Sequence, residues 1–230
     1  MGRLIDDPRL RNRTRVFLDR GHAGRRLAEK LWELQPEQPH LFAIPAGGVP
    51  VAAPIAAQLA TPLHLIIVRK IRLPWTTEAG FGALDPEGHT IFNEDLLAHV
   101  RLSPEAVQTQ VAKTLATLRQ REERLRGSRL YPDLAGRPVV VVDDGLASGY
   151  TMRAAVRFLK EKNAGLLIVA VPTGSLATVH DFLPEVDALV CLNVRAGYAF
   201  AVAAAYENWY DLEESEVLDI LASLPPELRG

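Results

Sequence analysis

The sequence predicts an α/β fold, a parallel sheet covered by helices on both faces. Short apolar runs of strand length recur along the chain, and amphipathic stretches at helical spacing separate them. The composition, with 48% hydrophobic and 23% charged residues in 230, is that of a globular protein and excludes disorder or a coiled coil. Strands that are apolar throughout must be covered on both sides, and their alternation with helices implies parallel crossovers. The length suits one sizeable core with a small appended lobe rather than several independent domains.

The elements follow in order. Leu27, Leu31 and Leu34 repeat at helical spacing from His22 onward, and Pro36 and Pro39 close that helix. LFAI at 41–44 reads as a buried strand, and PAGG at 45–48 interrupts it. VPVAAPIAAQLA reads as a helix with Pro50 in its first turn and a kink at Pro54. LHLIIVRK at 63–70 is the next strand, residues 71–80 show neither periodicity and read as a loop, and FGAL with HTIF around Asp85-Pro86-Glu87-Gly88 reads as a hairpin. Ser103 caps a helix with Pro104 at its first position, and the stripe Val107, Val111, Leu115, Leu118 and Leu125 carries it with the other face polar and exposed. Then come the strand PVVVV, a loop from Asp143 to Tyr150, and a helix burying Met152, Ala155, Val156 and Leu159 that Asn163-Ala164-Gly165 ends. LLIVAV is a strand, Ser175 caps a short helix, VDALVCLNV is the last core strand, and an acidic helix follows from Glu213.

The net charge of -2 gives no field that gathers nucleic acid, and the arginines crowded between Arg3 and Arg26 read as a solvated face. Cys191 lies in an apolar run and reads as inert packing. No stretch reaches the roughly 20 apolar residues of a membrane span, and no hydrophobic signal segment follows the basic N-terminus, so a cytoplasmic location is expected.

The chemistry concentrates in VVVVDDGLASGYT at 139–151. The valine strand delivers Asp143 and Asp144 to the carboxyl end of the sheet, where open α/β folds place ligands. Two adjacent carboxylates need donors, and the vicinal hydroxyls of a ribose offer two. Gly145 and Gly149 allow close backbone approach, and Ser148 and Thr151 bring hydroxyls just ahead of a helix N-terminus. Such a turn suits a phosphate. Diol and phosphate together describe a ribose 5-phosphate.

This run resembles the thirteen-residue signature of type I phosphoribosyltransferases, which bind 5-phosphoribosyl 1-diphosphate (PRPP). The resemblance covers most of residues 20–210 and is closest to bacterial members of unknown acceptor. It implies a Rossmann-like core at about 20–195, and a hood at about 196–230 that includes part of the N-terminal segment. It also implies that Asp143 and Asp144 hold the ribose hydroxyls, while Ala147, Ser148, Gly149, Tyr150 and Thr151 wrap the 5-phosphate. IPAGGVPVA at 44–52 is similar to the family's pyrophosphate loop, with Ala46, Gly47 and Gly48 as its cradle. Ala46 stands where many relatives carry arginine. Arg69 and Lys70 correspond to cations that reach the diphosphate, and residues 71–80, with Arg72, Trp75 and Glu78, to a loop that closes over substrate. Tyr198 or Phe200 in the aromatic segment 195–210 could stack on a flat acceptor or simply pack the lobe.

The resemblance therefore implies an enzyme of nucleotide metabolism that transfers phosphoribose from PRPP to a small acceptor, with magnesium carried by the diphosphate. Asp143, Asp144 and Lys70 are its candidate catalytic residues, no metal is held by protein ligands, and a homodimer is expected. Ala147 replaces the loop aspartate of 6-oxopurine members, which argues against a hypoxanthine or guanine acceptor. The rival reading is a non-catalytic PRPP-binding regulator. No helix-turn-helix accompanies the core, and neither GxGxxG nor the phosphate-loop motif GxxxxGK is present.

Overall fold

The computed structural model describes residues 2–34, 37–76, 79–197 and 199–230. Pro36, Glu78 and Tyr198, named above, lie outside them. In chain order the elements are β1 (Arg3–Ile5), α1 (Arg20–Leu34), β2 (His40–Ala43), α2 (Gly48–Leu59), β3 (Leu63–Leu65), β4 (Arg69–Arg72), β5 (Gly80–Leu84), β6 (Thr90–Phe92), α3 (Glu94–Val100), α4 (Pro104–Leu125), β7 (Val139–Val142), α5 (Tyr150–Glu161), β8 (Leu167–Ser175), α6 (Leu176–Phe182), β9 (Ala188–Arg195) and α7 (Glu214–Ser223).

Among the described residues, six strands form a parallel sheet in the order β1-β9-β8-β7-β2-β3. Alternate side chains point to opposite faces of a strand. Val140 and Val142 of β7 accordingly join Leu41, Ala43, Ile168 and Ala170 in a core beneath α1 and α2, whereas Val139 and Val141 join Phe42, Val169 and Val171 in a second core beneath α5 and α6. Cys191 is buried in the second core, where burial pushes its thiol up. No described helix is long and apolar enough to cross a membrane.

The topology fixes where a ligand can sit. From β2 the chain moves outward to β3 on one side, and from β7 it moves to β8 and β9 on the other. The order reverses between β2 and β7, which pair directly through Ala43 and Val142 at their carboxyl ends. Crevices of α/β sheets open at such a reversal. The loops after β2 and β7 are therefore neighbours.

Several expectations need correction. The run 63–70 is not one strand: Leu63–Leu65 stays in the main sheet, while Arg69–Arg72 begins an antiparallel sheet, β4-β5-β6. Buried Ile66, Ile67 and Val68 fill the corner between them and let the charged residues leave the core. Ile71 and Arg72 accordingly belong to a strand rather than a loop. α1 begins at Arg20 rather than at His22, and β1 and α3 carried too few residues to be read. The hairpin and the caps by Ser103 and Ser175 are as expected, each serine accepting a backbone amide at 3.2 Å. Tertiary partners decide what short or charged segments become; strongly patterned segments decide for themselves.

Candidate active site

β7 consists of four fully buried valines, and it stops where two carboxylates would have to enter the core. Asp143 Oδ1 accepts the Asp144 amide at 2.8 Å, which closes the turn. Asp144 Oδ2 accepts Arg20 Nε–H at 2.9 Å, and the Asp144 carbonyl accepts the Tyr206 hydroxyl at 2.6 Å. Arg20 is only 7% exposed; it also donates Nη1–H to the Tyr210 carbonyl at 3.0 Å and lies 3.8 Å from the centroid of the Trp209 ring. Burial, and then the neighbouring Asp144 charge, push the Asp143 carboxyl well above the ordinary range. Burial raises Asp144 too, against the opposing pull of Arg20.

The pyrophosphate-type loop approaches closely. A Cβ on Gly47 would fall 1.9 Å from Asp144 Oδ2, so only glycine lets this backbone pass the carboxylate. A Cβ on Gly48 would fall 2.6 Å from the Val142 carbonyl oxygen, and Gly48 donates its own amide to the Ile44 carbonyl at 2.9 Å. The Pro45–Ala46 peptide is cis. Among the described residues, neither the Ala46 nor the Gly47 amide meets an acceptor.

Ala46 and Gly47 line a cavity of about 820 Å³ together with Arg20 and Asp144, the cations Arg69, Lys70, Arg72, Arg121 and Arg124, and the acids Asp211, Glu213 and Glu214. Glu214, at the start of α7, spans two of these cations, at 2.8 Å from Arg121 and 3.1 Å from Arg124. Burial and the nearby Arg121 and Arg72 charges pull Arg69 below the ordinary arginine range. Like charges crowded in this way favour an anion between them. A smaller adjoining cavity of about 170 Å³ brings Asp143, Lys70, Arg69 and Thr151 together.

The remaining candidates lie beyond these cavities, around the N-terminus of α5. Gly149, its N-cap, has φ +78 and supplies no side-chain acceptor, so the first amides of α5 are left for another partner. Ala147 and Ser148 are exposed, and Tyr150 is half-buried. Leu146 pins the loop to β8, donating to the Thr173 carbonyl at 2.8 Å and accepting from the Ser175 amide at 3.0 Å, while the Thr178 hydroxyl bonds the Ala147 carbonyl. Gly145 faces Val202. Phe200 lies by Arg195 and lines neither cavity.

Sequence reasoning missed Arg20, Arg121, Arg124, Trp209 and Glu214. The solvated-face reading of the N-terminal arginines fails at Arg20, and the exposed-face reading of α4 fails at Arg121. Both had a signal: Arg20 is in phase with buried Ala23, Leu27 and Leu31, and Arg121 stands between buried Leu118 and Leu125. A charge on an apolar stripe needs a buried partner. Elsewhere, Asp85, His89 and Glu161 lie close enough to suggest a metal cage. Asp85 instead accepts Arg157 at 3.0 Å and the amides of Glu87 and His89, so the cluster fastens the hairpin to α5.

Comparison with known proteins is consistent with this geometry. The family described as phosphoribosyl transferase domain matches residues 18–181. A Mycobacterium tuberculosis protein provisionally named a phosphoribosyl transferase, found in two strains, is 37% identical over 207 residues, which is 90% of this chain and 46% of the relative. The chain thus spans about half the length of the curated relatives it matches. A crystal structure from Thermus thermophilus is 33% identical, with a TM-score of 0.73, and covers 93% of this chain and 99% of that one.

Proposed function

The chain belongs to the phosphoribosyl transferase domain family, and from that premise we propose that it transfers the 5-phosphoribosyl group of PRPP to a nitrogenous acceptor, releasing pyrophosphate. One observation carries the reading: an acid pair, a basic cluster and an uncapped helix start surround the sheet's reversal point in the arrangement that a phosphorylated sugar diphosphate requires.

In this reading Asp143 and Asp144 accept the two ribose hydroxyls, and Ala147 to Thr151 with the α5 amides take the 5-phosphate. Arg69 and Lys70, with the Ala46 and Gly47 amides, take the diphosphate. Magnesium enters as part of the substrate, chelated by diphosphate oxygens, as suits a hard cation. Breaking the C1–O bond leaves positive charge on the sugar and negative charge on the leaving group. The carboxylates face the first and the cations face the second, so the protein's work is positioning and electrostatic stabilisation. Ala46 lacks the cation that many relatives supply there, and Arg72 and Arg121 place positive charge in the same cavity. The acceptor lies against Val202 and Trp209, under a hood formed by residues 196–230. A cytoplasmic homodimer belongs to the same proposal.

The test is a screen of purines, pyrimidines and small nitrogen heterocycles with PRPP and magnesium, read by pyrophosphate release and product mass. Turnover with one acceptor is expected, and Ala46→Arg serves as a control. If the natural chain binds PRPP without product while Ala46→Arg turns over, the protein is a PRPP-binding regulator instead.

A further inference from the structure

We propose that Arg20 is a positioning residue for the sugar: it fixes one oxygen of Asp144 and sets a cation against that carboxylate, leaving the other oxygen to receive a ribose hydroxyl. This inference rests on the reading of the acid pair as the ribose site.

The geometry is specific. Arg20 reaches Asp144 from the first turn of α1, 124 residues away in sequence, with 2.9 Å between Nε and Oδ2. The remainder of its guanidinium is held by the Tyr210 carbonyl and the Trp209 ring, so its direction is fixed by the C-terminal segment. The same segment grips the Asp144 main chain through the Tyr206 hydroxyl. Arg20 bonds Asp144 and not Asp143, so the two acids are unequal before any ligand arrives.

The charged and titratable groups around Asp144 are few. Asp143 repels it from the same turn, Arg20 attracts it from α1, and Lys70 on β4 acts on Asp143. The Tyr206 phenol faces the pair from the C-terminal segment, with the Cys191 thiol near it, and burial pushes both up so that they stay neutral through the working pH range. Gly47, against the carboxylate on the remaining side, brings no charge. Arg20 thus puts a cation in direct contact with Asp144. A carboxylate that must accept a hydroxyl is lost as a ligand when it is protonated. Without the arginine's charge, Asp144 protonates at higher pH, and PRPP binding fails earlier as the pH falls.

Two variants separate this role from mere packing. Arg20→Lys keeps the charge and loses the planar fork, whereas Arg20→Gln keeps an N–H donor of similar reach and loses the charge. PRPP affinity is measured by calorimetry from pH 6 to pH 8.5 as a ratio to the natural chain, which cancels titration of the ligand's own phosphates. For Arg20→Gln the expected loss is about tenfold at the acid end and about threefold or less at the alkaline end, one pKa unit corresponding to a factor of about ten. Arg20→Lys is expected to restore a flat ratio. A loss of the same size at every pH, or a glutamine variant that binds better than the lysine variant at pH 6, overturns the inference and leaves Arg20 as packing. If the natural chain binds no PRPP at any pH, the family-based reading has failed and this inference falls with it. Carboxyl-carbon NMR of the natural chain needs no variant: Asp144 is expected to move in the lower step of the pair's titration, and its moving in the upper step would overturn the charge argument.

Discussion

At the acid end of the site two carboxylates ride on the tip of β7 and Asp144 is held by the buried Arg20, whereas the basic end draws five cations from β4 and α4, two of which pair with Glu214. At the acid end burial and the Asp144 charge push Asp143 up, and Arg20 pulls against the burial that raises Asp144. The basic end is assembled from the smaller sheet and a long helix, and its five cations outnumber Asp211, Glu213 and Glu214, which line the same cavity. The two ends should fail independently, and fragments of the ligand can show it.

The largest effect is expected from Asp144→Asn. Replacing a charge-assisted bond with a neutral one costs on the order of 1.5 to 3 kcal/mol, so ribose 5-phosphate and PRPP should bind roughly ten- to a hundredfold more weakly. Pyrophosphate alone should bind as before. Equal losses for pyrophosphate and ribose 5-phosphate would mean that the ends are not separate subsites.

The mirror experiment is Arg69→Met. Its neighbours share the load, so pyrophosphate should weaken by only about three- to tenfold, while ribose 5-phosphate is little changed. Calorimetry with each fragment reads the contrast.

Asp143→Asn sharpens the comparison through stability. Because burial and Asp144 raise the Asp143 carboxyl above its ordinary value of 3.8, the fold favours its neutral form, and ionising it costs stability as the pH rises from there. The asparagine variant should therefore melt higher than the natural chain at pH 8, by about 2–4 °C for each kcal/mol relieved. The gap should close as the pH falls toward 4, and a gap that widens on acidification would reverse the assigned sign. Binding of ribose 5-phosphate should weaken in the same variant, the usual exchange of stability against function.

The smallest effect is expected from Glu214→Gln, which releases Arg121 and Arg124. Pyrophosphate should bind about two- to threefold more tightly, in keeping with the modest energies of partly exposed ion pairs. Weaker binding would mean that the glutamate orients the arginines more than it screens them.

The same contrast explains what could be read in the sequence. The acid end is local: an apolar strand, two acids, a small-residue loop and a helix follow one another in VVVVDDGLASGYT, so order along the chain is order in space. The parallel layering was legible for a similar reason, since each buried strand is a continuous apolar run. Arg69 and Lys70 could be singled out by resemblance, but the split that carries them into a second sheet depends on β5, which pairs with them from residues 80–84. Arg20, Arg121 and Glu214 meet only after folding, from α1, α4 and α7, and no local pattern joins them. Their one trace was a charge standing on an apolar stripe, which the solvated-face rule passed over.

The account rests on the cavity holding a sugar phosphate at one end and a diphosphate at the other. The most direct measurement is calorimetric titration of the natural chain with PRPP and magnesium, repeated with ribose 5-phosphate and then pyrophosphate as competitors. Saturable binding of one PRPP per chain, weakened by each fragment separately, is the expected result. Absence of PRPP binding, or displacement by pyrophosphate alone with no effect of ribose 5-phosphate, would contradict the account.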